Sequence, residues 1–141
     1  MTLDLTPAAG EAAFGDPALA GDWAAVLPAM LAVEQQAPWC SYAVRDGGRL
    51  AGMGGFKGGP GADGQAEIAY LVFVPERGRG LATAIAARLV EIAVGHGVAG
   101  VRAHTLPKHD ASTRVLEANG FALKGAVDDP EDGTIWRWER T

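Results

Sequence analysis

At 141 residues, with 48% hydrophobic and 21% charged residues, the chain has the composition of a globular protein rather than a disordered one. A net charge of −5 disfavours a general nucleic-acid binder or a binder of anionic membranes, and Cys40, the only cysteine, leaves no intrachain disulfide and points to a reducing compartment. No basic segment followed by an apolar run opens the chain and no apolar run is long enough to span a bilayer, so one domain over residues 1–141, cytoplasmic and free of membrane, is expected.

In chain order, Leu3–Pro7 reads as a short strand stopped by its proline. Residues 8–21 are rich in Ala and Gly and carry no clear period. From Asp22, read as an N-cap, Trp23, Val26, Leu27, Met30 and Leu31 fall on one helical stripe, and Pro28 places the regular part near Leu27. Pro38 closes that segment. Ser41–Arg45 and Arg49–Lys57 form a hairpin around Asp46-Gly47-Gly48. Gly52, Gly54 and Gly55 in its second strand point to a bulge or to close packing of another backbone.

The stretch Glu67-Ile-Ala-Tyr-Leu-Val-Phe-Val-Pro-Glu-Arg-Gly-Arg-Gly-Leu-Ala-Thr83 organises the rest. Ile68–Val74 is the expected central strand, ended by Pro75, and a helix is expected from Arg79 to Val94 with Leu81, Ile85, Leu89 and Ile92 on its apolar side. Gly78 and Gly80 make the turn between them. Strand, glycine turn and helix start together aim free amides at one point, which makes an anion site suited to phosphate. It is not a P-loop, because no Lys follows Gly80, and not a dinucleotide fingerprint, because Thr83 stands where a third glycine belongs.

Beyond it, Gly95-His96-Gly97 ends the helix, Ala99–Leu106 is a strand, and Asp110–Ala118 is a short helix leaving through Asn119-Gly120. Phe121–Val127 and Thr134–Arg140 are a terminal hairpin with Trp136 and Trp138 on one face. This order suits a mixed, largely antiparallel sheet with helices on both faces.

Arg77, Gly80 and Ala82 meet the pattern Arg/Gln-x-x-Gly-x-Gly/Ala, which resembles the pyrophosphate loop of the GNAT superfamily of acyl-CoA-dependent N-acyltransferases. Thr105-Leu-Pro-Lys-His-Asp-Ala-Ser-Thr-Arg-Val-Leu-Glu-Ala-Asn-Gly-Phe121 resembles the downstream block of its ribosomal-protein N-acetyltransferase-like subgroup. The two blocks cover residues 65–125. The resemblance implies an α+β fold of three α/β/α layers, with a central sheet of six to seven strands. It also implies acetyl-CoA, or another short acyl-CoA, as cofactor, and a primary amine as acceptor: a protein or peptide N-terminus, an antibiotic or a small metabolite. Attack would be direct, in a ternary complex. No metal site is assigned, and the protein is expected to be a monomer or homodimer.

The same resemblance distributes the roles. The diphosphate falls to the amides of Arg77, Gly78, Arg79, Gly80, Leu81 and Ala82, to the Thr83 hydroxyl, and to the charge of Arg77 and Arg79. The pantetheine arm falls to Val72, Phe73 and Val74 on a strand that splays from its neighbour at a bulge, with an oxyanion N–H from Tyr70–Val72. Pro75 lies two residues before Arg77 where the family has three, which shifts these assignments locally. Glu67 is the first candidate for the base, with partial burial raising its proton affinity; the competing reading is a strand-edge carboxylate paired with Arg49 or Arg102. His104 is the second candidate. Glu34, on the early helix, is expected near the acceptor groove or simply solvated. Ser112 keeps the subgroup's serine beside the departing sulfur, whereas His109 replaces an asparagine that touches the cofactor, and Leu116 replaces a tyrosine that acts as acid. Those two departures motivate an alternative, a catalytically weak acyl-CoA sensor. Cys40, beside Trp39, has no basic neighbour in sequence to activate it as a nucleophile.

Overall fold

The computed structural model describes residues 1–33 and 36–141. Its centre is a seven-stranded sheet in the order β1-β2-β3-β4-β5-β7-β6. The strands are β1 Leu3–Pro7, β2 Ser41–Asp46, β3 Arg49–Phe56, β4 Gln65–Val72, β5 Gly100–Thr105, β6 Ala122–Asp129 and β7 Gly133–Arg140. The helices are α1 Pro17–Ala20, α2 Leu27–Leu31, α3 Leu81–Gly95 and α4 Ala111–Ala118. Every neighbouring pair is antiparallel except β4 with β5.

Helices cover the two faces unequally. Leu81, Ile85 and Leu89 of α3 and Leu116 of α4 pack with Val44, Ile68, Val72, Val101, Ala103 and Trp138 on one face. On the other, Phe14, Ala20 and Leu27 meet Ala43, Met53 and Phe73. The β2–β3 turn is Gly47-Gly48, with φ of 59° and 88°, the left-handed pair that a tight hairpin demands. Gly52 and Gly54 are there because nothing larger fits. A Cβ on Gly52 would lie 2.3 Å from the Leu71 carbonyl oxygen, and one on Gly54 would lie 2.5 Å from Ile85 Cγ2.

Several boundaries differ from the sequence reading. The central strand ends at Val72, and Val74–Glu76 turns as a single 3-10 turn, because Pro75 fixes its φ inside that turn. Asp22 is not an N-cap: it lies inside a 3-10 turn, Gly21–Ala25, that precedes α2. The stripe expected from Trp23 to Leu31 is not a buried face. Leu27 is buried, while Trp23, Val26 and Met30 are 54%, 45% and 51% exposed. Pro28 does sit in the first turn of α2. Glu34 lies outside the described residues. The bulge expected on the splaying strand is absent from β3–β4, whose register runs unbroken; the irregularities fall at Val44/Arg45 and Leu123/Gly125.

The two kinds of glycine separate in a stability measurement. Gly52→Ala should lower the unfolding free energy by about 2 kcal/mol, because the contact it creates is with rigid backbone. Gly95→Ala, in α3 with open space at its Cβ, should be neutral or stabilising by less than about 1 kcal/mol. Urea unfolding of both variants checks the pair.

Candidate functional site

The site begins where β4 and β5 part. Their parallel pairing covers only Gln65–Glu67 against Gly100–Arg102. Beyond Arg102, β5 pairs on its other side with β7, while β4 continues against β3 to Val72. Along β4 the backbone groups alternate in direction. The Lys57 amide donates to the Glu67 carbonyl at 2.9 Å and the Phe73 amide to the Ala51 carbonyl at 2.9 Å, so odd-numbered residues face β3. Tyr70 and Val72 therefore turn their amides and carbonyls into the fork. The Val72 carbonyl accepts from Arg77 Nε at 3.3 Å.

At the far end of that edge is the corner before α3. Gly78 and Gly80 have φ of 83° and 76°, and a Cβ on either would meet nothing within 4 Å. Gly80 is the N-cap and supplies no side-chain cap. The first amide to find an acceptor is Ala84, which donates to the Gly80 carbonyl at 3.2 Å. Among the described residues, none of the amides from Gly78 through Thr83, which include Leu81 and Ala82, donates to a protein group. Free N–H groups of this kind at the positive end of a fifteen-residue helix suit an oxyanion such as phosphate.

The charges around this corner differ from the expectation. Arg79 does not point freely at the opening: it pairs with Asp46 at 3.1 Å and Glu76 at 2.8 Å. Arg49 holds the same Glu76 carboxylate by two hydrogen bonds, of 2.6 and 3.0 Å. The hydrogen bond from Arg49 is the main reason Glu76 is held below the ordinary carboxylate range; Asp46 is lowered chiefly by the Thr2 amide and next by Arg79. Phe73 is likewise committed elsewhere. Its ring is buried edge-on to Phe14, its amide goes to Ala51 and its carbonyl accepts from Glu76. Val72 is buried and Val74 is 44% exposed.

At the near end of the fork the two candidate bases meet. His104 Nδ1 lies 3.1 Å from Glu67 Oε2. Lys57 Nζ approaches the same oxygen at 3.3 Å, and Arg102 Nε is 3.7 Å from Oε1. Glu67 and His104 are 18% and 21% exposed at their side chains, so both are reachable. The competing reading of Glu67 as an Arg102 partner is thus present alongside the pairing with His104, whereas Arg49 belongs to Glu76. Lys57 has no local signal that places it here, because its position depends on the β3–β4 register.

On the opposite face, Ser112 is exposed in the first turn of α4, whose N-cap Asp110 forms a capping box with Thr113. Tyr70 is expected to act only through its backbone, yet its hydroxyl donates to the Ser112 carbonyl at 3.4 Å. Burial, with the Asp110 charge, pushes its phenol up to about 12, so it is a neutral hydrogen-bond donor at ordinary pH. Leu116 is fully buried in the core. The His109 ring packs edge-on to Trp136 at 4.9 Å. Cys40 is buried.

The family model for the GNAT acetyltransferase domain matches residues 8–122, and the chain belongs to that family. No curated protein matches it. Among solved structures, a ribosomal L7/L12 α-N-protein acetyltransferase, RimL, in complex with coenzyme A superposes with a TM-score of 0.65 at 19% identity, over 72% of this chain and 60% of that one. An aminoglycoside acetyltransferase, AAC(6')-Ib, with coenzyme A gives 0.65 at 24%, over 72% and 65%. RimJ of Mycobacterium smegmatis with CoA-disulfide gives 0.66 at 22%, over 72% and 52%. These likenesses establish the fold, and the chain spans less than two thirds of the length of each of the three.

The carboxylate network beside the corner has a pH signature. A depressed carboxyl contributes stability that is present above its unfolded value, about 4, and is lost as pH falls through the folded one. Glu76→Gln should therefore lower the melting temperature at pH 7 relative to the parent. That gap should close as both proteins are acidified below about pH 4, as read by calorimetric scans across pH 3–7.

Proposed function

We propose that residues 1–141 form one transferase domain that moves an acetyl group from acetyl-CoA, or another short acyl-CoA, to a primary amine. The observation that carries this is the continuity of the fork. At about 3.3 Å per residue, β4 runs about 17 Å from Glu67 to Val72, with unpaired backbone along the edge, free amides at one end and a carboxylate–imidazole pair at the other. The diphosphate sits on the Gly78–Thr83 amides with Arg77 beside it. The extended arm pairs with the Tyr70 and Val72 backbone, displacing the Arg77 guanidinium from the Val72 carbonyl. The thioester then lies in the fork, where the Tyr70 or Val72 N–H polarises its carbonyl.

The two faces divide the chemistry. Glu67 and His104 project on the face away from α3 and α4, and their pair takes a proton from the incoming ammonium. The neutral nitrogen attacks the thioester carbon, the N–C bond forms, and the tetrahedral oxyanion is held by the backbone N–H. The C–S bond breaks and the thiolate departs on the α4 side, oriented by Ser112 and Tyr70 and protonated by solvent. The base passes its first proton to solvent and then takes the second from the amine nitrogen. No covalent enzyme intermediate is needed.

Neighbours of this fold include a ribosomal L7/L12 α-N-protein acetyltransferase and an aminoglycoside acetyltransferase, and the acceptor belongs to the same broad class of primary amines, met by a monomer or a homodimer. No helix among the described residues is long and apolar enough to cross a membrane, and a cytoplasmic location is part of the proposal. A second reading, an acyl-CoA sensor without turnover, is favoured by Leu116: it occupies the core where the family has a tyrosine acid. Intact cellular function in a Glu67→Gln, Ser112→Ala double variant would support sensing over catalysis.

Gly80→Asp puts a carboxylate at the phosphate corner without meeting any neighbour. It should abolish acetyl-CoA binding by calorimetry while the far-ultraviolet dichroism stays unchanged; retained affinity would overturn the site. Glu67→Gln should bind acetyl-CoA normally and lower kcat by about 10²-fold in a thiol-release assay with a panel of amines.

A further inference from the structure

Resting on the transferase reading, the geometry points to a second binding position: a carboxylate subsite one strand beyond the catalytic pair, so that the acceptor is a small amine carrying a carboxylate a few bonds from its nitrogen. His104 stands directly opposite Arg137 on β7, and Arg102 opposite Glu139. Arg137 in turn faces Gly125 on β6. Residues opposite one another share a face of the sheet, so Arg137 and Glu139 lie on the same side as His104, which contacts Glu67 across the fork. Helices α1 and α2 pack on the β2–β4 part of that side, over Ala43, Met53 and Phe73, and leave this part open.

Three features make the open part a built site rather than a bare surface. First, β6 carries an extra residue, Lys124, between Leu123 and Gly125, and Gly125 has a φ of 139° with empty space at its Cβ. A bulge re-aims the side chain it inserts. Second, the bulge borders a groove of about 300 Å³ lined by Lys124, Gly125, Ala126, Val127, Arg137 and Glu139. Third, Arg137 Nε is shielded from solvent and, among the described residues, has no hydrogen-bond acceptor. Glu139 Oε1, at 3.6 Å, forms an ion pair with the guanidinium but is too far to accept a hydrogen bond from Nε. Lys124 belongs to no ion pair among the described residues.

A shielded N–H without a hydrogen-bond acceptor is costly even beside an ion-pair partner, and a guanidinium fork fits a carboxylate better than any other anion of comparable size. Lys124 and Arg137 against Glu139 leave the groove with one excess positive charge. Strands are about 4.8 Å apart, so a nitrogen at the Glu67–His104 pair puts a carboxylate on Arg137 within the span of an amino acid. Such a zwitterion has no net charge and is not repelled by a chain of net charge −5, as a simple anion would be.

The test compares an amino acid, its methyl ester and its decarboxylated amine as acceptors in the thiol-release assay, and by calorimetry with and without CoA. The carboxylate form should have at least about tenfold higher kcat/KM than the other two, and should bind correspondingly tighter. Arg137→Gln should reduce that preference to about twofold, and Lys124→Met, at an exposed position that cannot upset the core, should reduce it part of the way. Equal use or equal binding of the three forms by the parent overturns the subsite, as does a preference that survives both substitutions. Loss of the subsite alone leaves CoA binding and turnover of the neutral amine in place, whereas failure of the transferase reading shows as absent CoA binding. If only the amino acid binds, and Arg137→Gln abolishes that binding without turnover of any amine, the subsite stands and the transfer does not.

Discussion

The structure depends on β4 leaving β5 after Glu67. A strand inside a sheet normally satisfies its backbone on both sides, and unpaired buried amides are costly enough that few are left so. Here β4 is held on one side by an unbroken register with β3, and its other side is open from Glu67 onward. The sheet keeps its integrity because β5 finds a second partner in β7. The open edge can thus persist as a place for an extended molecule that brings its own amides and carbonyls.

From that fork the two faces acquire different work. Side chains at Ile68 and Val72 go into the core under α3 and α4, with Tyr70 half-buried beside them. Glu67 points the other way, into a cluster with Lys57, Arg102 and His104. Period-two alternation makes this separation unavoidable: a residue cannot serve both faces. The α3–α4 side and the side of the Glu67 cluster are therefore set by parity along one strand, and both border the gap between β4 and β5.

Much of this was legible from residues alone. The glycine turn before an apolar helix identified the corner, because few sequences place Gly78 and Gly80 there without needing left-handed φ. The hairpin, the glycines of β3 and the exit of α4 followed from equally local rules. What escaped was decided by tertiary pairing. Lys57 reaches Glu67 through register, Arg79 is drawn to Asp46 at the end of β2 as well as to Glu76 three residues before it, and Phe73 is taken into the core by Phe14 from a segment without clear period. The Trp23–Leu31 stripe misled because Pro28 and a short 3-10 turn prevent one regular helix from presenting it. The placement of Tyr70 at Ser112 has no local signature at all.

The pairing of Arg79 also bears on the phosphate recognition proposed for this corner. With Arg49, Arg79, Asp46 and Glu76 forming a neutral group, the net charge facing the corner is small. Selectivity then lies in direction more than in attraction: backbone N–H groups converge from a turn whose two glycines permit it, at the end of a helix that contributes a partial positive charge. Fixed dipoles need no counter-ion and no ordering of long side chains on binding. In the proposed complex they hold the diphosphate, and Arg77, which donates to the Val72 carbonyl at 3.3 Å, stands beside them. In that proposal the extended arm takes over the Val72 carbonyl that Arg77 holds here, and the rest of the open edge pairs with the arm alone.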